Sequence, residues 1–190
     1  MWECPDFFPV GDPDRNTRVL VISPQDVTAE WPEFHNGNNA LFLIGEYEKE
    51  NHLFCRNRVQ SADYGLDYYA PQTTQAPDGR RILIAWMKSW DTNIFPEGFS
   101  WNGMTTVPRE VSIREEDGRI LQNPVRELER YHGTPVCAEQ VHIHAPVSFE
   151  GIRGRIADLQ VEIEGRGFGT FTISVAADEK RHTDIVYDEE

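Results

Sequence analysis

Pro77-Asp78-Gly79-Arg80-Arg81-Ile82-Leu83-Ile84-Ala85-Trp86-Met87 reads as a tight turn that launches a strand. Pro, Asp and Gly in succession are turn chemistry. The apolar run behind them is too short for a typical helix and rich in residues that suit a strand. Upstream, Leu41-Phe42-Leu43-Ile44 is a second such run, preceded by Asn36-Gly37. Each run leads into a polar, aromatic-bearing stretch, Gly45-Glu46-Tyr47 in one case and Lys88-Ser89-Trp90 in the other. The runs begin about 40 residues apart, and a repeat of that length built of short strands is the pattern of propeller blades.

Downstream, Val111-Ser112-Ile113 and Ile120-Leu121 flank Glu116-Asp117-Gly118, which predicts a hairpin. No window has a convincing helical period, and residues 124–131 allow two turns at most. Composition shifts near residue 133, after Tyr131 and through Gly133-Thr134-Pro135. Beyond it, Val141 and Ile143, then Leu159, Val161 and Ile163, then Phe171, Ile173 and Val175 alternate with polar residues, the pattern of strands buried on one face of a sandwich. The expected organisation is therefore all-β, with a propeller part over residues 1–132 and a partial β-sandwich over 133–190.

Twelve Pro and 14 Gly agree with many turns and short elements, and five Trp argue against disorder. The net charge of −14 disfavours nucleic acid and anionic membrane as partners, since both need a basic face. No apolar run approaches the ~20 residues of a membrane helix. Cys4, Cys55 and Cys137 are too few and odd in number for a disulfide framework, which favours a reducing compartment.

The chemistry concentrates in Trp2-Glu3-Cys4-Pro5-Asp6-Phe7-Phe8. Partial desolvation of Glu3 among apolar neighbours would favour the protonated carboxyl that a general acid needs. A terminal glutamate beside a hydrophobic anchor is the plainer reading of the same residues. The string closely resembles the acid/base motif of glycoside hydrolase family 32, the invertase, β-fructofuranosidase and sucrose-6-phosphate hydrolase group. Three further stretches resemble that family's motifs in the family's order. They are Asp63-Tyr64-Gly65-Leu66-Asp67-Tyr68-Tyr69-Ala70-Pro71-Gln72-Thr73, then Gly79 to Met87, then Trp101-Asn102-Gly103-Met104 followed by Pro108-Arg109-Glu110.

The resemblance implies the last two or so blades of a five-bladed β-propeller followed by the start of a β-sandwich. It implies a retaining two-carboxylate hydrolysis of the fructosyl bond in sucrose, sucrose 6-phosphate or short fructans, with no cofactor and no metal, and with Glu3 as acid/base. The family's nucleophile is an aspartate in an Asn-Asp-Pro-Asn-Gly-like motif, and a second aspartate lies in an Arg-Asp-Pro motif. Neither motif occurs here; Asp12-Pro13 has loop composition around it. On this reading Met1 is an internal methionine, and the 190 residues alone are expected to lack invertase activity. The resemblance also implies a bacterial, cytoplasmic parent.

Softer implications fall on Asp63, Gln72 and Trp86 as sugar-binding residues. Asp63 otherwise reads as an Asx turn into Tyr64-Gly65, and Trp86 as blade core. Arg80 and Arg81 read as strand-edge surface residues. His142 and His144 would share one face of a strand near Cys137, but too few ligands stand at zinc spacing. Cys4 lacks an identifiable base and reads as packing beside Glu3. Gly165-Arg166-Gly167-Phe168-Gly169 lacks the Lys-Ser/Thr of a phosphate loop and reads as a hairpin or bulge. The competing functional class is a non-catalytic carbohydrate-binding or assembly protein, self-associating through uncovered blade edges.

Overall fold

The computed structural model describes residues 1–88, 97–154, 156–165, 167, 169–178 and 180–188. Ser89, Trp90, Arg166 and Phe168, which enter the repeat and hairpin readings above, lie outside the described residues. The chain divides into two compact units, Met1–Leu128 and Glu129–Glu190.

The first unit is two four-stranded antiparallel sheets. One contains β1 (Trp2–Pro9), β2 (Thr17–Pro24), β3 (Leu41–Glu48) and β4 (Leu53–Ser61), side by side in chain order. The other repeats that meander with β5 (Tyr69–Gln75), β6 (Arg81–Trp86), β7 (Arg109–Ile113) and β8 (Ile120–Pro124). Two successive up-and-down sheets are two propeller blades, as expected. Each strand sends alternate side chains into the space between the blades. Phe8, Val19, Val21, Phe42 and Ile44 of the first meet Leu83, Ala85, Val111 and Ile120 of the second. Phe42, Val19, Val21 and Leu83 are fully buried there.

The predicted turns form where turn chemistry stands. Gly79, between β5 and β6, has φ +92°, and Gly118, between β7 and β8, has φ +69°, both left-handed conformations that favour glycine. The strand runs also hold, but their equivalence differs from the expected 40-residue repeat. Leu41–Ile44 lies on the third strand of its blade and Ile82–Trp86 on the second of the next. The strands that correspond are β2, with Arg18-Val19-Leu20-Val21-Ile22, and β6, with Arg81-Ile82-Leu83-Ile84-Ala85. A long excursion between β2 and β3 hides this longer period from a search keyed to apolar runs.

A short 3-10 helix, Arg126–Tyr131, follows β8. In the second unit one hairpin forms among the described residues, β9 (Thr170–Val175) with β10 (Thr183–Asp188). The expected strands at Val141–Ile143 and Leu159–Ile163 do not form; their apolar side chains stay about half exposed. Alternation supplies a face to bury, but a strand also needs a ladder partner for its backbone. The His142 and His144 rings lie parallel with centroids 6.5 Å apart, on irregular backbone rather than the expected strand.

Candidate active site

The first strands of the two blades lie together, β5 packing against β1 and β2. Both carry the same irregularity near their beginnings. In β1 the pairing shifts between Glu3 and Asp6, and Cys4 has φ +48°. In β5 it shifts between Tyr69 and Gln72, and Ala70 has φ +50°. A non-glycine residue held left-handed inside a strand is costly, and such bulges redirect the side chain beside them.

Each bulge is held by the other blade. Gln72 donates its side-chain N–H to the Cys4 carbonyl at 2.9 Å. The Ala70 N–H is received by the Ser23 hydroxyl at 3.1 Å, and Ser23 is the ladder partner of Glu3. One turn further along, Asp6 Oδ2 receives both the backbone N–H and the hydroxyl of Thr73, at 2.7 and 2.6 Å. These bonds cross the blade boundary and fix the first strands against each other at the level of Glu3.

Glu3 is half-buried. Its Oε2 receives the Tyr69 hydroxyl at 2.8 Å and the Gln25 side-chain N–H at 2.6 Å. Gln25 is anchored in turn by its own backbone N–H to the Met1 carbonyl at 2.8 Å. Tyr69 is buried, and burial together with the bond to the Glu3 carboxylate pushes its phenol up to about 12, so it remains a donor across the neutral range. The anticipated apolar wrapping by neighbours in sequence is a different matter. Trp2 is 67% exposed and Pro5 is exposed. Alternation along β1 sends them away from the site, and residues distant in sequence surround Glu3 instead.

The other residues picked from sequence are placed as follows. Trp86, half-buried, stands opposite Tyr69 in the β5–β6 ladder. Its indole leaves no room for a side chain at Gly103, where an added Cβ would lie 2.6 Å from Nε1. Gln72 uses its amide on the Cys4 and Pro71 carbonyls. Asp63 lies at the outer strands: Oδ1 receives the Gly65 N–H at 2.7 Å, the Asx turn read from sequence, and Oδ2 pairs with Arg109 at 2.8 Å. It lines a hollow of about 430 Å³ with Gln60, Arg109 and Gln122, and no contact joins it to Glu3 among the described residues.

Sequence reasoning missed Tyr69 and Gln25 as partners of Glu3. The signal for Tyr69 was its place in an aromatic pair directly ahead of the β5 bulge. Arg80, read as a strand-edge surface residue, has carboxylate partners that the sequence did not announce. It is the hub of a cluster, bonding Glu127 and Glu110 at 2.5 Å and Asp78 at 2.7 Å. Among the described residues no group of three or more His, Cys, Asp or Glu side chains is arranged to hold a metal ion. Among the described residues no helix is long and apolar enough to cross a membrane.

Residues 1–124 match the family model described as glycosyl hydrolases family 32 N-terminal domain. The chain is 39% identical over 153 residues to a raffinose invertase of Escherichia coli, covering 74% of this chain and 31% of that protein. It is 38% identical over 129 residues to an Escherichia coli sucrose-6-phosphate hydrolase, covering 68% and 26%. Among solved structures it resembles a Bombyx mori β-fructofuranosidase with a TM-score of 0.62 and 32% identity, covering 72% of this chain and 28% of that one. The sucrose-6-phosphate hydrolase of Lactobacillus gasseri follows with a TM-score of 0.58 and 25% identity, covering 68% and 26%. The chain thus spans about a third or less of the length of these relatives.

Proposed function

The chain belongs to glycosyl hydrolase family 32, and on that premise we propose that it supplies the acid/base side of a retaining fructoside hydrolase site, with Glu3 as the proton donor. The observation that carries this reading is the loading of one Glu3 oxygen by two donors, Tyr69 and Gln25. With Oε2 occupied, the proton to be delivered sits on Oε1. In the first step Glu3 protonates the glycosidic oxygen as the bond to the fructosyl carbon breaks and a nucleophilic carboxylate takes that carbon. In the second, the Glu3 carboxylate removes a proton from water, which displaces the enzyme carboxylate. The nucleophile belongs to the Asn-Asp-Pro-Asn-Gly-like motif, which these 190 residues do not contain. The reading therefore needs that motif from outside them, and the 190 residues alone should not hydrolyse sucrose.

Trp86, beside Tyr69, is read as a wall of the sugar site. Gln72 and Asp63 are read as positioning residues that hold backbone. Residues 133–190 are read as sandwich. Substrates in scope are sucrose, sucrose 6-phosphate and short fructans. A bacterial cytoplasmic setting suits the sucrose-6-phosphate hydrolases among these relatives, since a phosphorylated sugar does not cross a membrane unaided. Self-association is part of the reading, because Phe7 and Leu53 on one blade and Ile84 and Leu121 on the other leave apolar surface uncovered; a strictly monomeric sedimentation profile removes it.

The test is a graft. Residues 1–128 replace the matching part of the Escherichia coli raffinose invertase, and sucrose hydrolysis is measured. An active graft that loses about 10²–10⁴-fold in kcat on Glu3→Gln fits the usual worth of a general acid. A folded graft indifferent to that substitution refutes the assignment.

A further inference from the structure

Antiparallel order fixes which loops share an end with Glu3. β1 begins there, so β2 and β4 end there and β3 and β5 begin there; the same holds for β6 and β7. Three connections leave the strands at that end, and their described residues are 25–40, 62–68, and 87–88 with 97–108. Trp31 is 87% exposed in the first, and Trp101 is 59% exposed in the third. A large apolar side chain left in water costs free energy, and several at one end of a fold mark a binding surface.

These exposed rings are carried on ordered backbone. The first loop is cross-linked by the Val27–Gly37 and Glu30–Phe34 bridges, so Trp31 stands at a braced tip. Glu33, two residues on, accepts the Ser61 N–H at 2.8 Å and the Tyr64 hydroxyl at 3.2 Å, tying the tip to the second loop. Trp101 meets Phe99 edge to face at 4.7 Å. Its loop folds back on Trp86 through the Trp86–Thr105 bridge and the Met87 N–H to Met104 carbonyl bond. Both loops therefore reach the neighbourhood of Glu3, one through Gln25 and one through Trp86 and Tyr69.

The charge on the same loops narrows the ligand. Among their described residues only Lys88 is basic, and its ammonium is engaged by Asn102 at 2.6 Å; Arg109, which follows the third loop, is paired with Asp63 at 2.8 Å. Carboxylates are plentiful by contrast, as at Asp26, Glu30 and Glu33. A phosphate dianion is recognised by Arg, Lys or converging N–H groups, and would meet net repulsion here. A neutral glycosyl ring presents a C–H face that stacks on an aromatic ring and hydroxyls that donate to carboxylates.

We propose that Trp31 and Trp101 form a stacking surface for a further neutral sugar on the leaving-group side, so that this site selects uncharged tri- or oligosaccharides over phosphorylated sucrose. This rests on the acid/base reading of Glu3 for the direction of the leaving group. Raffinose and sucrose 6-phosphate make a matched pair of probes, because they modify the same glucosyl hydroxyl, one with a neutral hexose and the other with a phosphate.

The experiment follows the tryptophan indole N–H signals of the purified 190-residue chain by heteronuclear NMR, assigned by Trp31→Phe and Trp101→Phe. Titrations with raffinose, sucrose, sucrose 6-phosphate and inorganic phosphate are compared. Expected are shifts of the Trp31 and Trp101 signals with raffinose, at an affinity about tenfold above that for sucrose 6-phosphate. Trp31→Ala should weaken raffinose and leave sucrose nearly unchanged. Signals that respond equally or more strongly to sucrose 6-phosphate or phosphate overturn the proposal, as does silence toward every sugar. Neither result touches the acid/base assignment, which the Glu3→Gln graft tests separately.

Discussion

The two ends of the paired blades are built on opposite plans. At the end away from Glu3 the connections 10–16, 49–52, 76–80 and 114–119 are short, and charge pairs shape them. Arg114 pairs with Asp117 at 2.7 Å, Arg15 with Glu115 at 2.9 Å, and Arg80 with Asp78 at 2.7 Å. At the Glu3 end two of the three connections are much longer, and their described residues are nearly free of Lys and Arg and include exposed Trp and Tyr. One end closes the fold with local chemistry. The other lends Ala40, Ala62 and Tyr68 to the core and spends much of its remaining length on exposed surface, which is what a ligand-binding face requires.

The comparison can be broken or sharpened, beginning with the core that both ends share. Phe42→Ala should cost about 3–5 kcal/mol, because a fully buried ring between the blades leaves a cavity; urea unfolding measures it. A much smaller loss would mean the blades are not closely packed. Arg80→Ala should come next, with a lower Tm, since it strands three carboxylates that now share one guanidinium. That cluster also sets a pH dependence. The Arg80 guanidinium holds Glu127 down at about 2 and keeps Glu110 and Asp78 below the usual carboxylate range. These groups hold fewer protons folded than unfolded, so their stabilisation is present above about pH 4.5 and is lost as pH falls toward 2. Melting temperature against pH should drop over that window in the wild type and be flatter in Arg80→Ala.

Gln72→Ala should cost roughly 1 kcal/mol by freeing the Cys4 carbonyl, and in the active graft it should lower kcat more than it raises KM, because it loosens the bulge that presents Glu3. The smallest effect is expected at the Glu3 end. Trp31→Ala should change stability by no more than about 0.5 kcal/mol, as for other surface positions without a structural role. A large loss there would show that the exposed ring serves folding and would undo the contrast between the ends.

What could be read from the sequence divides along the same line. The turns at Pro77-Asp78-Gly79 and Glu116-Asp117-Gly118 were legible, because a few adjacent residues decide them. The apolar runs that became β3 and β6 were legible from composition. Glu3 was legible through the resemblance of its motif, but its partners were not, since Gln25 and Tyr69 lie 22 and 66 residues away and nothing local encodes those contacts. The partners of Arg80 were hidden for the same reason: Glu110 and Glu127 reach it from 30 and 47 residues downstream. The stretches at Val141–Ile143 and Leu159–Ile163 failed in the reverse direction, having the pattern of strands without the partner that makes a pattern into a ladder.

The central claim is that Glu3 gives its proton to the leaving group, and leaving-group chemistry tests it most directly. In the active graft, Glu3→Gln should be compared on sucrose and on an aryl fructoside whose phenol needs no protonation to depart. The account predicts a drop of about 10²–10⁴-fold on sucrose, little loss in the first step on the aryl substrate, and recovery of turnover when azide replaces water as the acceptor. Equal losses on both substrates, with no recovery by azide, would contradict it.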